Sequence, residues 1–460
     1  MNKSKWTSLS AFTLILSQFI IYLIITHYVN SYDLGLYALA SSIVIIPVSL
    51  IEFSFSSSLI HKENPQPKDY RSVLTLNMVT AISATVLCSF IAIIFAYLYE
   101  NQKIWLFVSC MSPIICLAAF NNVHLAGLKK EMRFEKLSIL ELVSNTIAFM
   151  VTLFAIVMEW GIWSLVILII TKYLTVTIGL ISAKLLYCQF KIERDRITLI
   201  QHFNFGKYIL GEKGLSSILS YLDVFLIGCF LGVSTLGVYD VLKRILLRPV
   251  LVLYAAIESV IFPLLSNHKN NILQYRKIYE AFISLSNFLF IPVLLLAYIF
   301  SDWLLKVLPQ AYHGQADVLQ SICFLGVSIV IFNPTDILLY SQGKTRLFFK
   351  WLLAYTLPML VLMLVSVQLG LVFFIYALAF FYIIMHSIAY FVLFKSDLSI
   401  LFNKYYSPVV LSISIFIGLN LLSLSWDGVQ LKVFSFIFTT LVILINFFLS
   451  TRSKQITLSQ

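Results

Sequence analysis

The chain has 460 residues, of which 60% are hydrophobic, 15% aromatic and only 12% charged, whereas a water-soluble globular protein carries about a quarter charged residues. That composition excludes a soluble fold. A formal net charge of +11 would suggest a nucleic-acid partner in a soluble chain, so its meaning depends on where the basic residues fall.

The opening Met1-Asn-Lys-Ser-Lys5 precedes an apolar run with no small-residue cleavage site behind it, so the segment reads as a retained first span and not a signal peptide. Apolar runs of about 20 residues, enough to cross about 30 Å of hydrocarbon, then recur along the whole chain. They predict spans at 9–29, 35–60, 73–98, 104–125, 137–158, 161–183, 208–231 and 237–265. Six more follow at 278–300, 316–341, 347–368, 371–394, 408–425 and 433–450. The expectation is therefore an all-α membrane protein of about fourteen transmembrane helices. The longest outer connection, 301–315, is too short to house an active site.

Nearly all lysines and arginines outside the spans fall on alternate connections, and only Lys103, Lys306 and Lys432 fall on the other side. This asymmetry is the positive-inside pattern, which predicts cytoplasmic termini in a bacterial inner membrane. The net charge then reports orientation, and no nucleic-acid partner is expected. The six cysteines are scattered without Cys-x-x-Cys or Cys/His spacing, so they read as apolar fillers with no metal.

Comparing the chain with itself shows one repeat. Leu34-Gly35-Leu36-Tyr37 opens the second span with Pro47 following, and Leu236-Gly237-Val238-Tyr239 opens the eighth with Pro249 following. Glycine suits a tight helix start, and proline interrupts a helix in a way a membrane bundle tolerates. Transporters are often built from such related halves. The repeat predicts two pseudo-symmetric six-helix lobes, 1–205 and 206–394, plus a C-terminal helix pair over 395–460.

A charge near the bilayer centre is costly, so each one needs a partner, a wet cavity or a function. At about 1.5 Å per residue, Arg248 and Lys172 each lie about 16 Å below the outer ends of their spans. Arg244 precedes Arg248 by one helical turn and Lys243 adjoins it, which gives the eighth span a basic stripe suited to a polyanion. Lys243, Arg244, Arg248 and Lys172 are the candidate substrate-binding residues. Pairing is the alternative, since Asp240 reaches Lys243 and Arg244 along the helix. Among acids, Asp223 and Glu52 lie deep enough to be candidate ion-coupling carboxylates, for H+ or Na+. Glu258 and Asp336 fall near inner ends, and Glu141 and His124 read as solvated.

No phosphate-binding glycine loop, His-Glu-x-x-His helix or Gly-x-Ser-x-Gly turn occurs, and there is no Asp-x-Asp pair for a metal-bound sugar nucleotide. Catalysis is not expected, and neither is a cofactor. The stretches Ile51-Glu-Phe-Ser-Phe-Ser-Ser-Ser-Leu-Ile60, Lys130-Glu-Met-Arg-Phe134, Gly161-Ile-Trp-Ser-Leu-Val166 and Tyr221-Leu-Asp-Val-Phe-Leu-Ile-Gly228, continuing to Tyr239, resemble the Wzx-type polysaccharide flippases. Those flippases share a superfamily with multidrug extruders. The resemblance covers most of the first eight spans, with Ser54 where a glycine is often expected. It implies an undecaprenyl-pyrophosphate-linked oligosaccharide repeat unit as substrate, moved from the cytoplasmic to the periplasmic leaflet by alternating access. It also implies membrane lipid, a polysaccharide polymerase and chain-length proteins as partners. Two rival readings stay open: an ion-coupled drug antiporter, which would put acids where this chain has a basic stripe, and a membrane-embedded polymerase or ligase, which would need a large outer loop.

Overall fold

Hydrocarbon offers no water to satisfy backbone N–H and C=O groups, so a spanning chain pairs them within helices. The computed structural model describes residues 2–53, 55–189, 191–389 and 391, and among them every regular element is helical. In chain order these are α1 (Asn2–Ile25), α2 (Ser31–Phe53), α3 (Ser56–His61), α4 (Pro67–Leu98), α5 (Lys103–Met111), α6 (Pro113–Lys130), α7 (Phe134–Val157) and α8 (Trp163–Ser182). There follow α9 (Arg196–Leu231), α10 (Val233–Asn267), α11 (Ile272–Ile299), α12 (Ser301–Leu305), α13 (Ala316–Phe332), α14 (Pro334–Ser341), α15 (Thr345–Ser366) and α16 (Leu371–Ala389). Eleven stretches are long and apolar enough to cross a membrane, and the apolar segment Thr13–Ile25 marks the first expected span. The chain is an all-α membrane protein. Spans expected at 408–425 and 433–450, with the C-terminal pair 395–460, lie outside the described residues.

Three spans are each made of two helices. Ser112-Pro113 separates α5 from α6, and Asn333-Pro334 separates α13 from α14. In both cases proline takes the first turn of the new helix, where it has no N–H to lose. Between α2 and α3 no proline is involved, and a side chain makes the joint. The buried Asn122 of α6 donates through Nδ2 to the carbonyls of Ile51 at 2.7 Å and Glu52 at 2.9 Å, and to Ser56 Oγ at 3.0 Å. Carbonyls freed by the break are thereby satisfied inside the protein.

The chain divides into two compact units, Met1–Val241 and Leu242–Gln460. In the first, α9, α5, α6 and α4 surround α2, and Leu36 through Ala40 are each at most 1% exposed. In the second, α13 holds the central place between α16 and α11. A Cβ on Gly326 would press on Leu247 of α10 and Leu294 of α11, so a small residue sets these helix contacts, as is usual where lipid supplies no hydrophobic drive.

Residues 183–189 and 191–195, between α8 and α9, are clasped to the rest of the first unit on the side that carries the basic connections. Tyr187 stacks on Tyr70 with ring centroids 5.2 Å apart, its N–H donates to His124 Nδ1 at 3.1 Å, and its ring occupies the space over Gly127. The Glu193 N–H donates to Thr75 Oγ1 at 2.9 Å, and Lys68 pairs with Asp195. Asp195 then caps α9, accepting from Ile197 N at 3.2 Å. Lys68 and Thr198 hold its carboxyl down to about 2. The helix therefore begins at Arg196, a full three turns before the apolar run that predicts a span, and buries Thr198, His202 and Gly206 on one face.

His202 completes the clasp. Its Nε2 lies 3.1 Å from Asp69 Oδ1 and its Nδ1 lies 2.7 Å from Ser58 Oγ, while Lys62 reaches the same Asp69 oxygen at 2.7 Å. Burial pushes the imidazole below its ordinary value, against the opposing pull of Asp69. A histidine with a lowered pKa in the docked state binds fewer protons there than when released, so docking weakens as pH falls below about 6.5. Hydrogen exchange in residues 193–203, corrected for intrinsic rate, should be faster at mildly acidic than at neutral pH. His202→Gln should flatten that dependence, and an unchanged pH response in the variant would sink the assignment. At the joint, Asn122→Ala strands buried carbonyls at about 1–3 kcal/mol, and its unfolding midpoint in detergent should drop by several degrees.

Candidate functional site

Two groups of charged residues stand apart from the clasp, one in each unit. In the first, the break after α2 leaves Glu52 exposed, and Tyr173 of α8 donates to Glu52 Oε1 at 3.1 Å. The neighbouring backbone is fixed in turn, because Asn121 Nδ2 donates to the Tyr173 carbonyl at 3.1 Å and Thr177 donates to Asn121 Oδ1 at 2.9 Å. Glu141 of α7 is exposed and lies within electrostatic reach of Lys172, Lys129 and Glu52. The fold thus gathers Glu52, Glu141, Lys172 and Tyr173 from three helices. Lys172 is half-buried and engaged with its neighbours. Glu141, which sequence position alone assigns to solvent, is the residue that links the other two charges.

Asp223 sits differently. It is 5% exposed and its Oδ2 accepts from Tyr239 at 2.6 Å, while its own neighbour Val224 donates to Oδ1 at 2.9 Å. A carboxylate bonded to the tyrosine of the repeated Leu-Gly-Val-Tyr segment ties α9 to the start of α10.

In the second unit, α10 is turned by its apolar contacts. Leu247 packs at Gly326, and Tyr254 lies against Phe282 and Phe290 with ring centroids 5.7 and 6.0 Å away. Arg248 is about 100° around the helix from Leu247 and is exposed. No hydrogen bond or ion pair to Arg248 is found among the described residues. Lys243 and Arg244, one turn earlier, are half-buried, Asp240 is buried, and all three interact with neighbours. The basic stripe expected on the eighth span ends in an exposed arginine with no partner found among the described residues.

The second unit also gathers acids that sequence position did not single out. Tyr254 lies within electrostatic reach of both Glu258 and Asp336, and Tyr355 within reach of Asp336 and Tyr382. The signal for this cluster is the Asn333-Pro334 break, which places Asp336 in the first turn of α14.

The comparisons with known proteins bear on the family and the fold. The chain is 22% identical to the teichuronic acid biosynthesis protein TuaB of Bacillus subtilis over 76% of its length and 73% of that protein's. It is 19% identical to the lipopolysaccharide biosynthesis protein WzxC of Escherichia coli over 76% of its length and 72% of that protein's. Its fold matches that of the lipid II flippase MurJ in an inward closed conformation, with a TM-score of 0.74, 14% identity, and coverage of 96% of this chain and 99% of that one. The family model described as "Polysaccharide biosynthesis protein" matches residues 49–316, which is over half of the chain, and the protein belongs to that family.

Proposed function

We propose that this protein is a flippase that carries an undecaprenyl-pyrophosphate-linked oligosaccharide from the cytoplasmic to the periplasmic leaflet of a bacterial inner membrane. Both termini would be cytoplasmic, and the two lobes 1–205 and 206–394 would alternate in access. The observation that carries the reading is Arg248, an exposed arginine without a protein partner among the described residues, midway along a helix of a membrane-embedded chain. An uncompensated cation in that position is costly, and a diphosphate offsets the cost when it binds. Guanidinium geometry matches phosphate oxygens two at a time, and such charge-assisted bonds are the strong ones. The polyprenyl tail can stay in lipid throughout while the charged headgroup passes.

Lys243 and Arg244 lead toward Arg248 along the same helix and would extend the anion path. Lys172 lies within electrostatic reach of Glu141, so its charge would be shared between that carboxylate and the substrate. Glu52, exposed and bonded to Tyr173, suits an ion-coupling carboxylate better than the buried Asp223, whose bond to Tyr239 suits a structural role. H+ or Na+ would act there by binding one conformation more tightly than the other. A polysaccharide polymerase and chain-length proteins would consume the translocated unit. A drug antiporter remains the rival reading. An exposed arginine would repel an organic cation, which favours the flippase.

Arg248→Ala, at wild-type membrane level, should lower transport of a labelled lipid-linked oligosaccharide in a leaflet-resolved proteoliposome assay by about 10- to 100-fold, the equivalent of one or two charge-assisted hydrogen bonds. Arg248→Lys should keep part of the activity. Full activity in Arg248→Ala, or transport of organic cations in place of the oligosaccharide, would overturn the reading.

A further inference from the structure

The first three turns of α9 carry exposed side chains that neither the clasp nor the transport reading uses. The clasp fixes which way they point. His202 is bonded to Asp69 of α4 and Ser58 of α3, and Gly206 lies on Phe55. At about 100° per residue, Arg196, Ile197, Ile200 and Lys207 fall on the opposite side of the helix, within an arc of about 100°, and all four are exposed. Ile197 is 70% exposed and Ile200 56%, and Ile192, just ahead of the helix, is 69% exposed. Residues 196–207 contain no acid. The two acids just before them are already matched, Glu193 with Arg71 at 3.5 Å and Asp195 with Lys68. Around the side chains of Arg194 and Arg196, both exposed, no hydrogen bond or ion pair is found among the described residues.

We propose that this face is a lipid-binding surface: Arg194, Arg196 and Lys207 hold the phosphates of anionic phospholipid in the leaflet on the side of the basic connections, with Ile197 and Ile200 among the first acyl carbons. A helix standing in water turns polar residues outward, and this one turns out isoleucine and cations together. Isoleucine beside Arg and Lys without acids is the pattern of helices that sit in the headgroup layer, where apolar burial and attraction to anionic lipid add. The position along α9 fits. Its apolar span, Ile209–Leu231, is about 34 Å long and crosses the hydrocarbon unaided, so residues 196–207 lie past its edge. Membrane helices tilt by up to about 40°. At that tilt the 36 residues of α9 extend about 41 Å across the bilayer, within the roughly 40–45 Å that includes both headgroup layers. Lys207 donates to Asn204 Oδ1 at 3.0 Å, which holds its ammonium on this face. The surface is independent of the transport reading above, since it asks only for a chain embedded in a membrane.

A nitroxide on Ile200→Cys tests this in the full chain with its six native cysteines replaced. In nanodiscs containing phosphatidylglycerol the label should relax faster with dissolved oxygen than with a water-soluble nickel complex, the mark of a site within lipid. A label on Asn64→Cys, exposed in the connection before α4, should show the reverse. In phosphatidylcholine alone the label at position 200 should move toward the aqueous pattern, and added phosphatidylglycerol should move it back. Arg196→Ala should raise the phosphatidylglycerol fraction needed for half of that change by about fivefold, the effect of one charge at an anionic surface, while Arg196→Lys should resemble the parent. An aqueous pattern at position 200 in every lipid mixture would overturn the proposal and leave the face to a protein partner. A lipid pattern indifferent to both lipid charge and Arg196→Ala would overturn the phosphate-holding role of the cations.

Discussion

The requirement that every backbone polar group be satisfied without water governs this molecule more than any single contact does. Unbroken helices meet it at no cost to sequence, which is why so much of the chain can be Leu, Ile and Phe. Wherever a helix breaks inside the bundle, a specific residue has to answer for the loose carbonyls. At Ser112-Pro113 and Asn333-Pro334 the break coincides with a proline that opens the next helix, where it has no N–H to satisfy. Between α2 and α3 Asn122 meets the carbonyls of Ile51 and Glu52, and the Glu52 side chain meets Tyr173 of α8.

The same constraint explains what was legible in the sequence. Apolar run length and the Lys/Arg asymmetry carry the spans, since both are imposed by the bilayer and not by the partner helix. The Leu-Gly-x-Tyr repeat was legible because close backbone approach admits little besides glycine, and the structure places Gly35 and Gly237 on each other's helix starts. The depth of Arg248 was legible because a charge within an apolar run stands out, whereas its exposure is set by the packing of Leu247 at Gly326.

Other features were out of reach for physical reasons. Tyr173 and Glu52 are 121 residues apart, and no local pattern announces such a pair. Glu141 is exposed, as its position along its span suggests, but its electrostatic reach to Lys172 and Glu52 on neighbouring helices has no local signal. The early start of α9 was hidden because residues 196–207 mix Ile and Phe with Gln, His, Asn and Lys. A capping aspartate and a buried stripe of small and polar residues make that helix, and hydropathy does not register either.

That early start makes α9 a rod of 36 residues, about 54 Å long, which is well beyond the thickness of the hydrocarbon layer. Its first turns are clasped through His202 and its far end is tied through Asp223 to Tyr239. A stiff rod held at both ends transmits any tilt of one end to the other, unless it can flex between. Gly206 is needed for packing, because a Cβ there would strike Phe55, but among the described residues nothing lies within 4 Å of a Cβ at Gly211. Glycine in a helix interior costs about 1 kcal/mol relative to alanine, and at Gly211 no neighbour accounts for that cost. Gly211 thus puts a position of low helix propensity between the two anchors of α9.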